Sequence, residues 1–220
     1  MSVFAPTGRL ATGRAGSGLG LPYAREYLDN NVAVAARFSL PAGHLDARTV
    51  IEAVPGGWFY LAALPRNEVV AVLITLATLV PSERRSRLRW WLEALAQTTV
   101  VRRVLNGCRL PQTLSVANAR ASFALTGAGD SWLAIGDARI APDPLSGQGI
   151  IWAIDDAASA MELLTRMHGR DLAEEMRART LRDVEAYLCE RSRVYRSEQR
   201  FKDEVYWSVS RGLYSLLRQS

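Results

Sequence analysis

Two cysteines and two histidines in 220 residues leave little room for metal or thiol chemistry. Cys108 and Cys189 are too few for a disulfide framework and too far apart for a metal-ligand spacing, which fits a reducing cytosol. His44 and His168 are as widely separated, so neither a histidine metal site nor a Ser-His-Asp triad finds support. Long apolar runs are missing too. The longest, 69–80, is broken by threonines and holds about 12 residues against the ~20 that span a bilayer. The opening MSVFAPTGRLATGR lacks the continuous apolar stretch of a secretory signal. A cytoplasmic protein with no membrane partner is therefore expected.

A dinucleotide-binding loop is also lacking. The glycines of GSGLGL, 16–21, invite that reading, but such a loop must follow a buried strand and open a helix. Residues 7–15 make no strand, and Leu21 stands where the third glycine belongs. The net charge is +5 with a pI near 9.6, which raises nucleic acid as a partner. The arginines, however, are spread over several segments and accompanied by acids in the C-terminal third, the pattern of solvated helix surfaces. At 49% hydrophobic residues the chain can build a substantial core in one or two compact units.

The most informative stretch is 132–151, WLAIGDARIAPDPLSGQGII. Trp132-Leu133-Ala134-Ile135 has the length and content of a buried strand. Gly136-Asp137 stops it with a carboxylate, Pro142, Pro144, Gly147 and Gly149 shape a loop, and Ile150 starts a helical pattern. A carboxylate at a strand tip accepts hydrogen bonds from polyol hydroxyls, and a following helix N-terminus receives negative charge. An ordinary Asp-capped turn is the competing reading.

GDARIAPDPLSGQGI resembles the second FAD-contacting motif of aromatic-hydroxylase-type flavoproteins, above all their tryptophan-halogenase-like branch. The resemblance implies that Asp137 binds the ribityl chain of FAD. It also implies that Gly136, Pro144, Ser146, Gly147, Gln148, Gly149 and Ile150 form the loop and helix start beside the flavin pyrimidine. Pro6-Thr7-Gly8-Arg9 is similar to the tail of the family's Asp-Ala-Ser/Thr-Gly-Arg segment, and 16–21 to the loop after it. On this reading the chain matches only the C-terminal half of a family member. The strand and glycine-rich loop that hold the ADP half of FAD, and the halogenase lysine, are not among these residues.

Four strands are expected at 32–39, 49–54, 57–64 and 68–75, punctuated by Pro41, Pro55-Gly56-Gly57 and Pro65-Arg66-Asn67. They form an antiparallel meander, which in the family is the substrate domain. Trp58 and Tyr60 share one strand face and are candidates to line an aromatic substrate pocket, with core packing as the alternative. Ser82 can cap a helix with Glu83 in its first turn, and Leu88, Trp91, Leu92 and Leu95 make its apolar stripe. Residues 98–105 and 112–118 read as strands. After the loop, Ile150, Ile151, Ile154, Ala157, Ala158, Met161 and Leu164 form a helical stripe. Asp155 and Asp156, adjacent and about 100° apart, form no cooperating pair.

Residues 171–199 read as a long charged helix and 205–217 as an amphipathic one. In the halogenase-like branch such helices cover the substrate entrance. A partner-docking role for Trp207 and Tyr214 is the alternative. The expectation is an α+β fold: 1–30 a connecting segment, 31–128 an antiparallel-sheet substrate domain, 129–168 the FAD-binding segment and 169–220 a helical region. The implied function is an FAD-dependent oxidoreductase of monooxygenase or halogenase-like type, acting on a small aromatic molecule or a peptide. The alternative is a non-catalytic or split-flavoprotein subunit whose protein partner supplies the dinucleotide-binding half.

Overall fold

The computed structural model of the chain describes residues 8–15, 23–41, 48–129, 132–167 and 169–217, with the side chains of 8, 9, 15 and 213–217 outside that description. Pro6-Thr7, the 16–21 loop, His44, His168 and the Tyr214 side chain therefore lie outside the described residues. The chain divides into two compact units, Met1–Asp29 with Arg120–Arg193 and Asn30–Ala119 with Val194–Ser220. The helical region expected over 169–220 is thus shared between them.

The first unit opens with β1 (Gly8–Leu10) and β2 (Arg25–Tyr27). The second supplies β3 (Asn31–Ser39), β4 (Val50–Val54), β5 (Gly57–Leu64), β6 (Glu68–Leu76), α1 (Arg84–Ala96), α2 (Val100–Val104) and β7 (Ser115–Asn118). The chain then returns to the first unit for β8 (Ser122–Ala124), β9 (Ala128–Gly129), β10 (Trp132–Ala134), β11 (Ile140–Ala141) and α3 (Gly149–Arg166). The helix α4 (Gly169–Ser197) lies there up to Arg193, and α5 (Val205–Leu217) belongs to the second unit.

In the second unit the expected meander forms a five-stranded antiparallel sheet in the order β4-β5-β6-β3-β7. The β5–β6 turn places both Arg66 (φ 64°) and Asn67 (φ 60°) in the left-handed region, as a tight primed turn between twisted strands requires. Gly57 is demanded by close approach, since a Cβ there would meet the Ile74 carbonyl oxygen at 2.0 Å. One sheet face buries the α1 stripe. Trp91 donates from Nε1 to the Val34 carbonyl at 2.9 Å and sets its ring against Phe59 and Phe38.

Two local expectations are corrected here. The cap of α1 is Glu83 rather than Ser82, its carboxylate accepting from the amides of Arg85 and Ser86. Residues 100–104 form α2 instead of a strand, because the Glu52 carboxylate on β4 accepts from the amides of Thr99, Val100 and Val101. Three orphan donors at the helix start are thereby satisfied, which outweighs the β-branched content of the segment.

The second sheet face carries an aromatic cluster. Trp58 is 1% exposed, and its Nε1 lies 3.2 and 3.0 Å from the hydroxyls of Tyr195 and Tyr206. Trp207 donates to the Val54 carbonyl at 2.8 Å. Buried in this way, Trp207 is a core residue and not a docking surface.

In the first unit β1 runs parallel to β10, with β9 on the other side of β10, and β8 joins β2 to β11. Leu133, Ala160, Leu172 and Met176 form a core beneath α3 and α4. Among the described residues no helix is long and apolar enough to cross a membrane.

Candidate functional site

The strand β10 ends at Ala134, Ile135 continues extended, and the chain turns through Gly136 at φ +57°, a left-handed conformation that glycine adopts without penalty. This turn carries Asp137. Its backbone is held on both sides: Gly136 N–H donates to Asp156 Oδ2 at 2.9 Å, and Arg25 Nη2 donates to the carbonyls of Asp137 and Ala138 at 2.5 and 2.7 Å. Downstream, Asp143 caps the short Pro144–Ser146 turn by accepting from Leu145 N–H at 2.7 Å. Gly147 then reverses the chain at φ +62° and α3 begins.

Among the described residues no side chain caps α3. The amides of its first turn, Gly149 to Ile151, therefore remain available at the positive end of the helix. Asp137 stands beside them, its Oδ1 3.6 Å from where a Cβ on Gly149 would lie. The site thus presents a carboxylate acceptor next to a row of amide donors.

These groups border one cavity of about 800 Å³, within the range of small-molecule sites. Gly136, Asp137, Pro144, Ser146, Gly147, Gly149 and Ile150 all line it, as do Ala153, Ile154 and Ala157 of α3. Gln148 does not: its side chain is exposed and its carbonyl accepts from Trp152 N–H to start the helix. Trp58 and Tyr60 are not lining residues either. The first is enclosed by the Tyr195–Tyr206–Trp207 cluster, and the second is half-buried on β5.

Sequence reasoning missed Arg14. The triplet Thr-Gly-Arg occurs twice, at 7–9 and 12–14. The first copy runs into β1, whereas Gly13 and Arg14 of the second border the cavity. Arg14 donates to the carbonyls of Arg120 and Pro142 at 2.7 and 2.8 Å, and its Nε lies 3.7 Å from Asp137 Oδ2. The expectation that residues 7–15 make no strand is corrected here: Gly8–Leu10 form β1, paired parallel to β10, and Arg14 follows it in the turn at 13–15.

The loop rests on buried polar groups from α4. Tyr187 accepts from Asp143 N–H at 2.9 Å, and burial, then the Asp143 charge, pushes its hydroxyl far above the ordinary tyrosine value. Arg191 Nε lies 3.5 Å from Asp143 Oδ2 and its Nη2 3.3 Å from Asp29 Oδ2. Burial works against the charge of Arg139, but hydrogen bonds and charge from Asp156 and Asp183 hold its pKa above the usual arginine value. No metal-binding cluster occurs among the described residues.

No family model matches the chain. A protein of Marinomonas mediterranea described as an FAD-dependent oxidoreductase, LodB, is 24% identical over 180 residues, 81% of this chain and 48% of its own length. The chain therefore spans about half of that relative. Among solved structures, the peptidyl tryptophan dihydroxylase QhpG superposes with a TM-score of 0.74 at 20% identity, covering 93% of this chain and 48% of its own. The myxobacterial chondrochloren halogenase CndH gives 0.71 at 16% identity (96% and 53%), and the flavin-dependent halogenase CmlS 0.67 at 19% (85% and 36%). Joined to the Gly-Asp turn, glycine loop and uncapped helix described above, these likenesses give the chain the fold of the C-terminal part of the halogenase-like flavoproteins.

Proposed function

We propose that this chain supplies the flavin-ring side and the substrate-side sheet of an FAD-dependent oxidoreductase of monooxygenase or halogenase-like type. The observation that carries the reading is the Asp137 cavity. Its polar groups fit a flavin, with an acidic acceptor for polyol hydroxyls, amide donors for the hydrogen-bond-accepting edge of the ring and an apolar wall of Ala153, Ile154 and Ala157. Gly149 belongs to that fit, because the cradle is open where a side chain would stand against Asp137.

When bound, FAD would supply two-electron chemistry with dioxygen towards an electron-rich substrate. Asp137 would orient the ribityl hydroxyls. The amides of Gly149 and Ile150 would favour negative charge on the adjacent ring edge, an oxyanion-hole type of stabilisation. Arg14, fixed by two carbonyls, would help hold the Asp137 side chain in place. An aromatic substrate, small or peptide-borne, is the class proposed, and the likeness to a peptidyl tryptophan dihydroxylase supports it. Of the two candidate aromatics on β5, Trp58 is enclosed and Tyr60 half-buried, so Tyr60 is the one proposed to contact that substrate.

Titration with FAD, followed by quenching of flavin fluorescence, tests the site. Saturable binding is expected, weakened at least tenfold by Asp137→Ala, which corresponds to about 1.4 kcal/mol. Quenching that does not saturate, or equal affinity in the variant, would remove the assignment.

A specific observation also favours a partner. The helix α3 exposes Ile150, Ile151 and Ile154 at 78%, 59% and 64%, a surface continuous with the cavity that Ile150 and Ile154 border, and β1 pairs on one side only among the described strands. A parallel strand pair is normally covered and continued by further elements. We propose that a dinucleotide-binding half covers this face and completes the FAD site.

A further inference from the structure

Behind the Asp137 turn lies a buried ion-pair group that binds nothing in the cavity. Arg139 grips Asp156 with two hydrogen bonds, Nε to Oδ2 at 2.8 Å and Nη2 to Oδ1 at 2.6 Å. A third runs from Nη1 to Asp183 Oδ2 at 2.7 Å. Both partners of the central pair are nearly inaccessible, at 3% and 5% side-chain exposure. Arg179 approaches Asp156 at 3.6 Å and Asp183 at 3.9 Å. On α4 the residues facing this region recur every four positions: Arg179, Asp183, Tyr187 and Arg191. Each step of four turns the helix by only about 40° beyond a full turn, so they share one side.

A buried ion pair is weak support for stability, because apolar residues of similar volume often replace it without loss. What this one does geometrically is specific. Asp156 Oδ2 accepts from Gly136 N–H, and Gly136 is the left-handed residue that sets the direction of the Asp137 side chain. Asp156 sits on the same helix as Gly149. Tying the turn to Asp156 therefore fixes the carboxylate of Asp137 against the amides of that helix's own first turn.

We infer that Asp156, held by Arg139, is a positioning residue for Asp137. Arg139 neutralises Asp156 in the interior, and Asp183 and Arg179 anchor the pair to α4. The inference rests on the flavin reading only where it concerns affinity. Fixation of the Gly136 turn stands apart from it.

The experiment compares the full chain with Arg139→Met/Asp156→Leu, which keeps the interior filled, and with Asp156→Ala. Three readouts are taken: the urea midpoint, amide hydrogen exchange over Gly136 and Asp137, and FAD affinity. The double variant is expected to stay folded with a midpoint near wild type, exchange the Gly136 amide at least tenfold faster, and bind FAD at least fivefold more weakly. Combined with Asp137→Ala, it should weaken FAD no further, because it acts through that carboxylate. Unchanged exchange, or an equal loss of affinity in the Asp137→Ala background, would overturn the inference. Should wild type bind no FAD, the flavin reading falls while the exchange arm still decides whether Asp156 fixes the turn. Asp156→Ala, lacking the acceptor altogether, gives the same exchange result if the double variant is unstable.

Discussion

Gly136 allows a prediction whose size can be worked from the coordinates. Alanine at this position keeps φ near +57°, where an L-residue loses roughly 1–2 kcal/mol. The new Cβ also lands 3.0 Å from the Cβ of Ala153 on α3, and overpacking of that order costs about 1–3 kcal/mol. Gly136→Ala should therefore destabilise by roughly 2–5 kcal/mol. Removing the facing methyl separates the two costs. Ala153→Gly alone loses about 1 kcal/mol of helix propensity. In the double variant the crowding disappears and only the backbone penalty and the propensity loss remain. Urea unfolding of the four proteins should give a coupling of about 1–3 kcal/mol in favour of the double variant, well beyond the ~0.5 kcal/mol within which independent sites add. Strict additivity would mean that the turn does not press on α3, and the account of how Asp137 is aimed would be wrong with it.

Two further outcomes follow from side chains away from that turn. Glu52→Ala should unravel α2 and lower stability by about 0.5–2 kcal/mol, seen as faster amide exchange at Thr99 to Val101 with β4 protection retained. The raised pKa of the Tyr187 hydroxyl gives stability that is complete below the unfolded value near pH 10 and is lost as pH rises past it, because the unfolded chain ionises first. Urea midpoints at pH 8 and pH 10.5 should therefore fall less in Tyr187→Phe than in wild type, and equal falls would contradict the assigned environment.

The sheet was legible in the sequence because each strand is a short β-branched or aromatic run closed by proline, glycine or asparagine. Period and punctuation therefore agreed at β3, β4, β5 and β6. The helix α2 was not legible, because its cap comes from Glu52, 47 residues or more away in sequence from the amides it binds. The Gly136-Asp137 turn and the glycine loop could be read from local residue types alone. Arg14, Arg139 and Asp156 could not, since Arg14 meets Pro142 from 128 residues away, and Arg139 and Asp156 meet only once the 139–141 segment packs against α3. Trp58 shows the same limit from the other side. Its strand face was evident, but the two tyrosine hydroxyls that enclose it come from the far end of the chain.

The helix α3 shows why an apolar stripe reports a face and not what covers it. Its periodicity announces a core-facing side through Ile150, Ile154 and Met161, yet the structure buries Asp156 and Ala160 instead. An isolated helix would gain nothing by turning its aspartate inward, so the arrangement has to be explained by what each side does. The inward side fixes the Gly136 turn, and the helix start offers amides to the cavity. Fully covering an aliphatic side chain contributes about 1.5–3 kcal/mol. Counting Ile150, Ile151 and Ile154, two of which also border the cavity, the outward side could give at most roughly 3–6 kcal/mol to an association, short of the ~8 kcal/mol of a micromolar complex. A dinucleotide-binding half would therefore need a second contact, and the edge of β1, unpaired among the described strands, offers it through main-chain hydrogen bonds of the kind used in strand addition.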